Sequence, residues 1–324
     1  MTTVAIAGSR RRIGAQTIRD YALWAVLLLL LVIFTIANPN FLTPENLLNI
    51  ARQVSLIGIA AVGMTFVMIA GGIDLSIGAL LGLCSVLAAF AMVTFGWPIW
   101  AAVALALVVA LASGSSVGWV VTRIGVPGLI VTLAYYTALR GISFTITQGQ
   151  TISGMPESFA YLGQGYLLGI PVPVWIMAVA FIAGHLVLTR TTFGMRCYAV
   201  GGGKEAARLS GINVKRIEMS VYVISALLTG VAAMIMLSRL NSANANLGTG
   251  FELDVITAVI LGGVSFAGGE GRIRGALVGV LILGVLSNGL VLMGVSPYFQ
   301  AIVMGGVLLL AVSLDMIIRR GRKK

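Results

Sequence analysis

The stretch "GGGKEAARLSGINVKRI", Gly201 to Ile217, is a short charged segment in a chain that is otherwise strongly apolar. Hydrophobic residues make up 59% of the 324 residues, charged residues make up only 10%, and the mean hydropathy is +1.04. A globular core of this size has no room for so many apolar side chains, so lipid is the solvent for most of the chain. The charged stretch therefore predicts a loop between membrane-spanning helices.

Long apolar windows extend on both sides of this loop. A helix needs roughly 20 apolar residues to cross the hydrocarbon of a bilayer. The sequence predicts about ten such spans, near residues 20–37, 48–70, 76–95, 99–121, 128–147, 171–189, 218–237, 253–267, 276–294 and 298–318. The first window is too long for a signal peptide and lacks a convincing cleavage site, so we interpret it as an uncleaved span. The eighth is short and bounded by glycine, which indicates a half helix or a tilted segment buried in protein.

The basic residues predict the orientation. With ten spans, most of the 21 Lys and Arg residues fall on one side of the membrane, and cytoplasmic loops collect such residues. We therefore expect both termini in the cytoplasm, with a cytoplasmic segment at 1–19, one transmembrane domain at 20–318 and a basic tail at 319–324. The charged loop, near 190–217, is the largest cytoplasmic loop. This topology explains the net charge of +11 without a nucleic-acid partner, which would require a water-exposed basic face.

Three glycine motifs predict tight helix packing. "GALLG" (78–82), "GSSVG" (114–118) and "GALVG" (275–279) each place two glycines on one helix face. Lipid gives little hydrophobic drive for helix association, so close backbone approach must supply the van der Waals contact.

The residues needed for catalysis are missing from the sequence. No phosphate-binding loop occurs, because Gly203 and Lys204 are followed by Glu205 and lack the upstream glycine spacing. His185 is the one histidine and fits a packed helix residue better than a ligand. Cys84 and Cys197 lie in unlike surroundings and indicate neither a disulfide nor a metal site. We therefore expect a protein that is not an enzyme and holds no cofactor or metal.

Charges within the predicted spans are also scarce, and only Asp74 and Arg140 are candidates. Asp74 precedes a helix and is interpreted either as a cap of its free N–H groups or as a gating residue, with capping favoured. Arg140 is expected to reach the interface or to pair with a carboxylate. Carriers coupled to protons or sodium place more ionisable groups at mid-membrane, so the energy for transport must come from elsewhere.

The segment "KEAARLSG" has the composition of a short surface helix. Strong helix formers are preceded by an early Glu205 and followed by Arg208, three residues later, and Gly211 stands where a left-handed C-terminal cap belongs. One interpretation is a helix lying on anionic lipid, with a small apolar side of Ala206, Ala207, Leu209 and Ile212. The other is a docking element for a cytoplasmic partner that moves the adjacent spans.

Several stretches resemble the permease subunits of bacterial ABC importers for monosaccharides, of the ribose-permease type. They are "NPNFLTPENLLNI", "GMTFVMIAGGIDLSIGALLGL", "GGGKEAARLSGINVKRI", "LNSANANLGTGFELDVITAVILGGVSFAGGEGRIRGALVGVLILGVLSNGL" and "GVSPYFQAIVMGGVLLLAV". The resemblance covers approximately residues 20–318. It implies an all-α protein of the bacterial inner membrane with the ABC importer permease fold.

The resemblance also implies partners and a coupling element. The partners are an ABC ATPase subunit that uses ATP and Mg, a periplasmic sugar-binding protein, and a second permease copy in a homodimer or a related heterodimer. The family's coupling loop matches this chain and favours docking over lipid anchoring at Gly203, Lys204, Glu205, Ala206, Ala207, Arg208, Leu209, Ser210, Gly211 and Ile212. Substrate identity does not carry over from the resemblance.

Polar residues supply candidates for the pathway. Asn241, Asn244 and Asn246 lie in a loop expected to be external, where they line the sugar entrance, receive the binding protein or are simply solvated. Asn288 lies inside an apolar span, where an amide needs a partner. It is either a pathway residue or one side of a helix–helix hydrogen bond, which is slightly favoured. A self-sufficient facilitator or secondary carrier remains the alternative to an ABC importer.

Overall fold

The computed structural model describes residues 10–322, and the side chains of residues 23–313 together with Asp315 and Met316. The ends of the predicted N-terminal segment and basic tail lie outside these residues. Within residues 10–322 the helices are α1 (Arg10–Ala37), α2 (Pro44–Ile69), α3 (Ile77–Val93), α4 (Ile99–Trp119), α5 (Gly128–Thr147), α6 (Glu157–Gln164), α7 (Val172–Arg190), α8 (Thr192–Gly202), α9 (Lys204–Leu209), α10 (Val214–Leu240), α11 (Phe251–Leu261), α12 (Ile273–Leu292) and α13 (Pro297–Arg322). A π-helical turn, Val120–Ile124, extends α4.

Six helices of the described chain are long and apolar enough to cross a membrane. They are Pro44–Ile69, Ile99–Ile124, Gly128–Thr147, Val172–Arg190, Val214–Leu240 and Ile273–Leu292. Shorter apolar stretches lie at Leu23–Ala37, Ile77–Val93 and Pro297–Ser313. The eighth predicted window holds α11, whose length of 11 residues gives only about 16 Å. The protein is therefore a multi-pass helical bundle, and α11 is a half helix rather than a full span.

Helix α10 lies at the centre of the bundle and packs against α2, α3 and α4. Glycines make these contacts close. A β-carbon added at Gly63 of α2 would lie 2.7 Å from the Cα of Ser225, and one at Gly114 of α4 would lie 2.7 Å from the Cβ of Ala226. The tight packing predicted from "GSSVG" is therefore confirmed, with α10 as its partner.

The other two glycine motifs also face neighbouring backbone. Gly275 and Gly279 of α12 lie against the carbonyl oxygens of Gly262 and Ala258, at the end of α11. Gly82 of α3 lies against the carbonyl oxygen of Leu247, which a β-carbon at Gly82 would approach to 2.6 Å. Each close contact requires the absence of a side chain, as the motifs predict.

Two helices begin inside the bundle rather than at its surface. Asp74, just before α3, bonds Ser225, which lies eleven residues into α10 and therefore about 17 Å from its start. The chain after α10 also enters the bundle, because Gly248 contacts Gly78, the second residue of α3. We call Asn244–Gly250 the re-entrant segment. The first residues of α3 and α11 lie close together at the end of this segment.

Short strands close the end of the bundle opposite α9. Strand β1 (Ile152–Ser153) pairs antiparallel with β4 (Ser242–Ala243), with Ile152 opposite Ala243. Strands β2 (Tyr166–Leu167) and β3 (Ile170–Pro171) form a second small antiparallel pair. We call this the far end and the opposite one the α9 end.

Candidate functional site

Helix α9 ends in a complete Schellman motif. The N–H of Gly211 donates to the carbonyl oxygen of Arg208 at 3.0 Å, and the N–H of Ile212 donates to that of Ala207 at 3.0 Å. Gly211 has a φ of 79°, the left-handed conformation that this motif requires and that glycine adopts without strain. The predicted positive φ at Gly211 is therefore confirmed. Asn213 then caps α10 by accepting the N–H of Arg216 at 3.0 Å.

Two ion pairs fix the charged side chains of α9. Arg208 donates to both carboxylate oxygens of Glu205, with Nη2 to Oε1 at 2.6 Å and Nε to Oε2 at 3.1 Å. This bond lowers the pKa of Glu205 below its ordinary value. Lys204 pairs with Glu218 of α10 at 2.6 Å. The first pair joins two exposed side chains on one face of α9, whereas the second joins α9 to the start of α10.

The apolar residues of α9 do not form one continuous face. Ala207 is buried and Ile212 packs against the core, so these two anchor the helix to the bundle. Ala206 and Leu209 are exposed, and 76% of Leu209 is accessible to solvent. The apolar side predicted from the sequence is therefore divided between anchoring and exposed residues. Leu209 is thus an exposed apolar residue on a helix whose charged residues Lys204, Glu205 and Arg208 are also exposed.

A cluster of glycines joins the end of α8 to two other turns. We call Gly71, Gly201, Gly202, Gly268 and Gly269 the glycine junction. The N–H of Gly269 donates to the carbonyl oxygen of Ile69 at 2.9 Å, and a β-carbon at Gly201 would collide with that oxygen. β-Carbons at Gly268 and Gly269 would lie 2.8 and 2.9 Å from the Cα atoms of Gly71 and Gly202. The chain that leads into α9 thus touches the end of α2 and the turn after α11, backbone to backbone.

Tyr198 of α8 reinforces this connection. Its hydroxyl donates to the carbonyl oxygen of Gly271, after the turn that follows α11, at 2.7 Å. Ile69 and Gly271 lie far from this loop in sequence, and no local pattern marks them, or the nearer Glu218, as its partners.

Asp74 is buried and ties the turn before α3 to α10. Its Oδ1 accepts the N–H of Ser76 at 3.0 Å and the hydroxyl of Ser76 at 2.5 Å, and its Oδ2 accepts the hydroxyl of Ser225 at 3.1 Å. Asp74 thus bonds the N–H of the residue before α3, whereas no side chain caps an N–H within α3 itself. The link to Ser225 was not anticipated, because it joins residues 151 positions apart.

Arg140 holds the re-entrant segment in place. Its Nη1 donates to the carbonyl oxygens of Ala245 and Leu247, the latter at 2.9 Å, and its guanidinium carbon lies 5.3 Å from the centre of the Tyr136 ring. We expected Arg140 to reach the interface or to pair with a carboxylate; Glu252 does lie near enough for a coulombic interaction, but the hydrogen bonds of Arg140 go to backbone carbonyl groups instead. Non-helical backbone at membrane depth has unpaired carbonyl groups, and Arg140 satisfies two of them.

A carboxylate lies beside this arginine at the start of α11. Glu252 is buried, and its Oε2 is packed against Gly78 at the start of α3. Neither Oε2 of Glu252 nor Nη2 of Arg140 has a hydrogen-bond partner in the described part of the chain, although both atoms are buried. Two groups of opposite charge with unused hydrogen-bonding capacity therefore lie at the starts of α3 and α11.

The asparagines of the predicted external loop have separate positions. Asn241 ends α10 with a φ of 49° and accepts the N–H of Met155 at 3.1 Å. Asn244 accepts the N–H of Asn246 at 2.9 Å in a local turn at the start of the re-entrant segment. The loop is therefore not wholly external, because from Ala245 onward its backbone lies against Arg140.

Asn288 is one half of a buried amide pair. Asn288 of α12 and Asn46 of α2 donate to each other's side-chain oxygens, both at 2.9 Å. Asn46 also donates to the carbonyl oxygen of Phe41 at 2.8 Å. The pair is the helix–helix hydrogen bond that was one of the two interpretations of Asn288. Its partner lies 242 positions away, and no local pattern in the sequence marks it.

No metal or disulfide site is visible in the described residues. No group of three or more His, Cys, Asp or Glu side chains is placed to hold a metal ion in residues whose side chains are described. Cys84 and Cys197 are both free and buried.

Comparison with known proteins gives a consistent result. Residues 46–312 match a family described as "Branched-chain amino acid transport system / permease component". The chain is 45% identical to the ribose import permease protein RbsC of Escherichia coli K12, over 97% of this chain and 99% of that protein. It is 45% identical to RbsC of Bacillus subtilis 168, over 89% and 90%. It is 33% identical to the xylose transport system permease protein XylH of Escherichia coli K12, over 98% and 96%. No solved structure matches the chain.

Proposed function

This chain belongs to the family of transport-system permease components, and from that membership we propose that it is the translocation subunit of an ATP-driven importer for a monosaccharide or similar small polyol. The observation that carries the proposal is the 45% identity to a ribose import permease along nearly the full length of both chains. The family description mentions branched-chain amino acids, whereas the relatives at 33 to 45% identity are named for ribose and xylose. A sugar is therefore the proposed substrate class.

The proposed partners are those of such an importer. An ABC ATPase subunit hydrolyses ATP with Mg, a periplasmic binding protein delivers the sugar, and a second permease copy or a related chain completes the pathway. The proposed location is the bacterial inner membrane, with about ten membrane-inserted segments and both termini in the cytoplasm. The concentration of Lys and Arg in the loops of one side supports this orientation.

The proposed coupling element is Gly203–Ile212. Its charges and the exposed tip of Leu209 form a compact knob, and α9 is too short and too divided in its apolar residues to lie on a membrane surface. Force applied to α9 reaches α10 through Lys204 and Glu218, and reaches α2 and α11 through the glycine junction. Backbone contacts have little room to deform, so movement of α9 is passed to the bundle rather than absorbed.

The proposed pathway passes the meeting point of α3 and α11. Interrupted helices at membrane depth are where transporters commonly place their substrate sites. Asp74, Arg140 and Glu252 lie around this point, and Asn244 and Asn246 lie at its entrance from the far end. The neutral amides suit sugar hydroxyls, and the unused atoms of Arg140 and Glu252 add hydrogen-bonding capacity for them. Asn241 is proposed as a further residue of this entrance. Asn288 is kept outside the pathway, because its amide is already paired with Asn46.

Reconstitution separates the importer from a self-sufficient carrier. The chain is placed in liposomes alone, and in parallel with the ATPase subunit expressed from the same source and with its binding protein. Sugar uptake that requires the ATPase, ATP and binding protein is the expected result. Uptake of the same sugar by the lone chain, at the same rate and without ATP, would establish the facilitator instead.

A further inference from the structure

A cavity of about 570 Å³ opens at the α9 end of the bundle. It is bounded by α1, α7 and α8, by the glycine-rich turn after α11 and by the start of α12. Its lining includes Leu23, His185, Arg190, Tyr198, Arg272 and Arg274. The cavity lies outside the coupling element and outside the proposed pathway.

The charge of the cavity is predominantly positive. Arg190, Arg272 and Arg274 line it, against the single carboxylate of Glu270 among its described lining residues. Arg272 and Glu270 already interact with other groups. Arg190 and Arg274 form no ion pair with the residues that the structure describes, and Nη2 of Arg274 lies 3.4 Å from Nε2 of His185. Two guanidinium groups are thus available to an anion, and the planar guanidinium fork matches a phosphate.

An apolar surface on α7 leads from this cavity into the membrane. Val179, Ile182 and Leu186 are 66%, 61% and 50% exposed, and their spacing of three and four residues places them along one face of α7. Arg190 follows four residues after Leu186 and continues that face into the cavity. A ligand with both a phosphate and an acyl chain fits this arrangement. A soluble phosphate, or an acidic side chain of a partner protein, would not cover the apolar face of α7.

We propose that the cavity binds the phosphate of an anionic phospholipid from the leaflet at the α9 end. Arg190 and Arg274 bind the phosphate, and an acyl chain lies along Val179, Ile182 and Leu186. Basic pockets between transmembrane helices are suited to such headgroups. The leaflet is cytoplasmic under the orientation proposed above, but the binding itself does not depend on the transport function.

Native mass spectrometry of the purified chain tests the site. Phosphatidylglycerol is titrated against the wild type, against a double variant with Arg190→Gln and Arg274→Gln, and against a control with Arg196→Gln and Lys215→Gln. The control removes the same charge from exposed residues at the same end that do not line the cavity. At about fivefold per arginine, the double variant is expected to bind about thirtyfold more weakly, while the control binds as the wild type does. Phosphatidylcholine with the same acyl chains is expected to bind weakly to all three.

Each other outcome overturns the proposal in a different way. Equal binding of phosphatidylglycerol by both double variants would show that Arg190 and Arg274 do not form the site. Equal binding of both lipids by the wild type would show that the charge of the lipid is not recognised. Displacement of the lipid by an equal concentration of glycerol phosphate would assign the cavity to a soluble phosphate. Displacement by one equivalent of the ATPase subunit would assign the two arginines to a protein interface. The comparison of the two lipids on the wild type needs no variant, so a requirement for lipid charge can be refuted even if a variant fails to fold.

Discussion

At Gly211 the backbone takes a φ of 79° in order to leave α9 and enter α10. A residue with a β-carbon pays about 1 to 2 kcal/mol in this conformation, and a β-branched residue is the least suited to it. A β-carbon at this position would meet no atom within 4 Å, so the cost comes from the backbone alone. A substitution at Gly211 therefore changes the direction in which the chain leaves α9 without disturbing the packing of the bundle.

Gly211→Val is expected to leave membrane insertion intact and to lower sugar uptake and sugar-stimulated ATP hydrolysis together, because α9 is redirected. Arg208→Glu breaks the bond to Glu205 and is expected to act in the same way but more mildly. Gly141→Val is the matched control, since a β-carbon at Gly141 would meet no atom within 4 Å and the φ of Gly141 is not positive. The measurement is coupled transport in proteoliposomes. Normal coupling in both α9 variants, with the ATPase fully retained, would show that Gly203–Ile212 is not the coupling element.

Asn244 is the residue whose role at the entrance can be measured most directly. Asn244→Ala removes the acceptor for the N–H of Asn246 and one amide from the entrance. We expect a lower rate of sugar uptake without release of the ATPase from the membrane. Concentration-dependent uptake, together with the amount of ATPase recovered with the membranes, provides the measurement. Unchanged kinetics would make the start of the re-entrant segment an ordinary solvated turn.

At the scale of the elements, the glycine junction holds α8 against α2 and the turn after α11. A β-carbon at Gly201 would collide with the carbonyl oxygen of Ile69 and approach the N–H of Gly269 to 2.5 Å, and backbone groups cannot rotate away as side chains do. Gly201→Ala is expected to destabilise the protein by about 1 to 3 kcal/mol, as overpacking typically does. Gly202→Ala is the control, because its β-carbon meets nothing within 4 Å.

The measurement for this pair is the thermal unfolding midpoint in detergent, followed by size-exclusion chromatography. Equal midpoints for the two variants would show that α8 yields at Gly201 and is not held by the junction. In that case force on α9 would reach the bundle through the pair of Lys204 and Glu218 and through the packing of Ala207 and Ile212.

Features of the elements that depend on residues close together in the chain could be predicted from the sequence, whereas contacts between distant residues could not. The positions of the helices, the close contacts of the glycine motifs and the cap at Gly211 follow from local patterns, because hydrophobic windows, small-residue spacing and capping act within a few residues. The partners do not follow from such patterns. Ser225 for Asp74 and Asn46 for Asn288 lie more than a hundred residues away, and only the packed bundle brings them together.

The position of the whole re-entrant segment also could not be predicted from local sequence patterns. Its polar sequence, "ANANLGTG", is typical of a surface loop, and nothing local indicates that it descends into the bundle. Arg140 makes the descent possible by satisfying carbonyl groups that would otherwise be unpaired at membrane depth. One arginine on α5 thus changes the position of a segment more than a hundred residues later.

At the scale of the whole molecule, the orientation can be tested with single cysteines. Cys84 and Cys197 are buried and free, so replacing both by alanine gives a background for labelling. Ser210→Cys places an exposed thiol at the α9 end, and Glu157→Cys places one at the far end. Because Lys and Arg concentrate in the loops at the α9 end, that end is expected to face the cytoplasm. A membrane-impermeant maleimide should label Glu157→Cys in intact spheroplasts and Ser210→Cys only after permeabilisation, and a reporter fused after Lys324 should be active in the cytoplasm. Labelling of Ser210→Cys from outside would place α9 where no ATPase can reach it, and the coupling proposal would fail however well the chain matched its relatives.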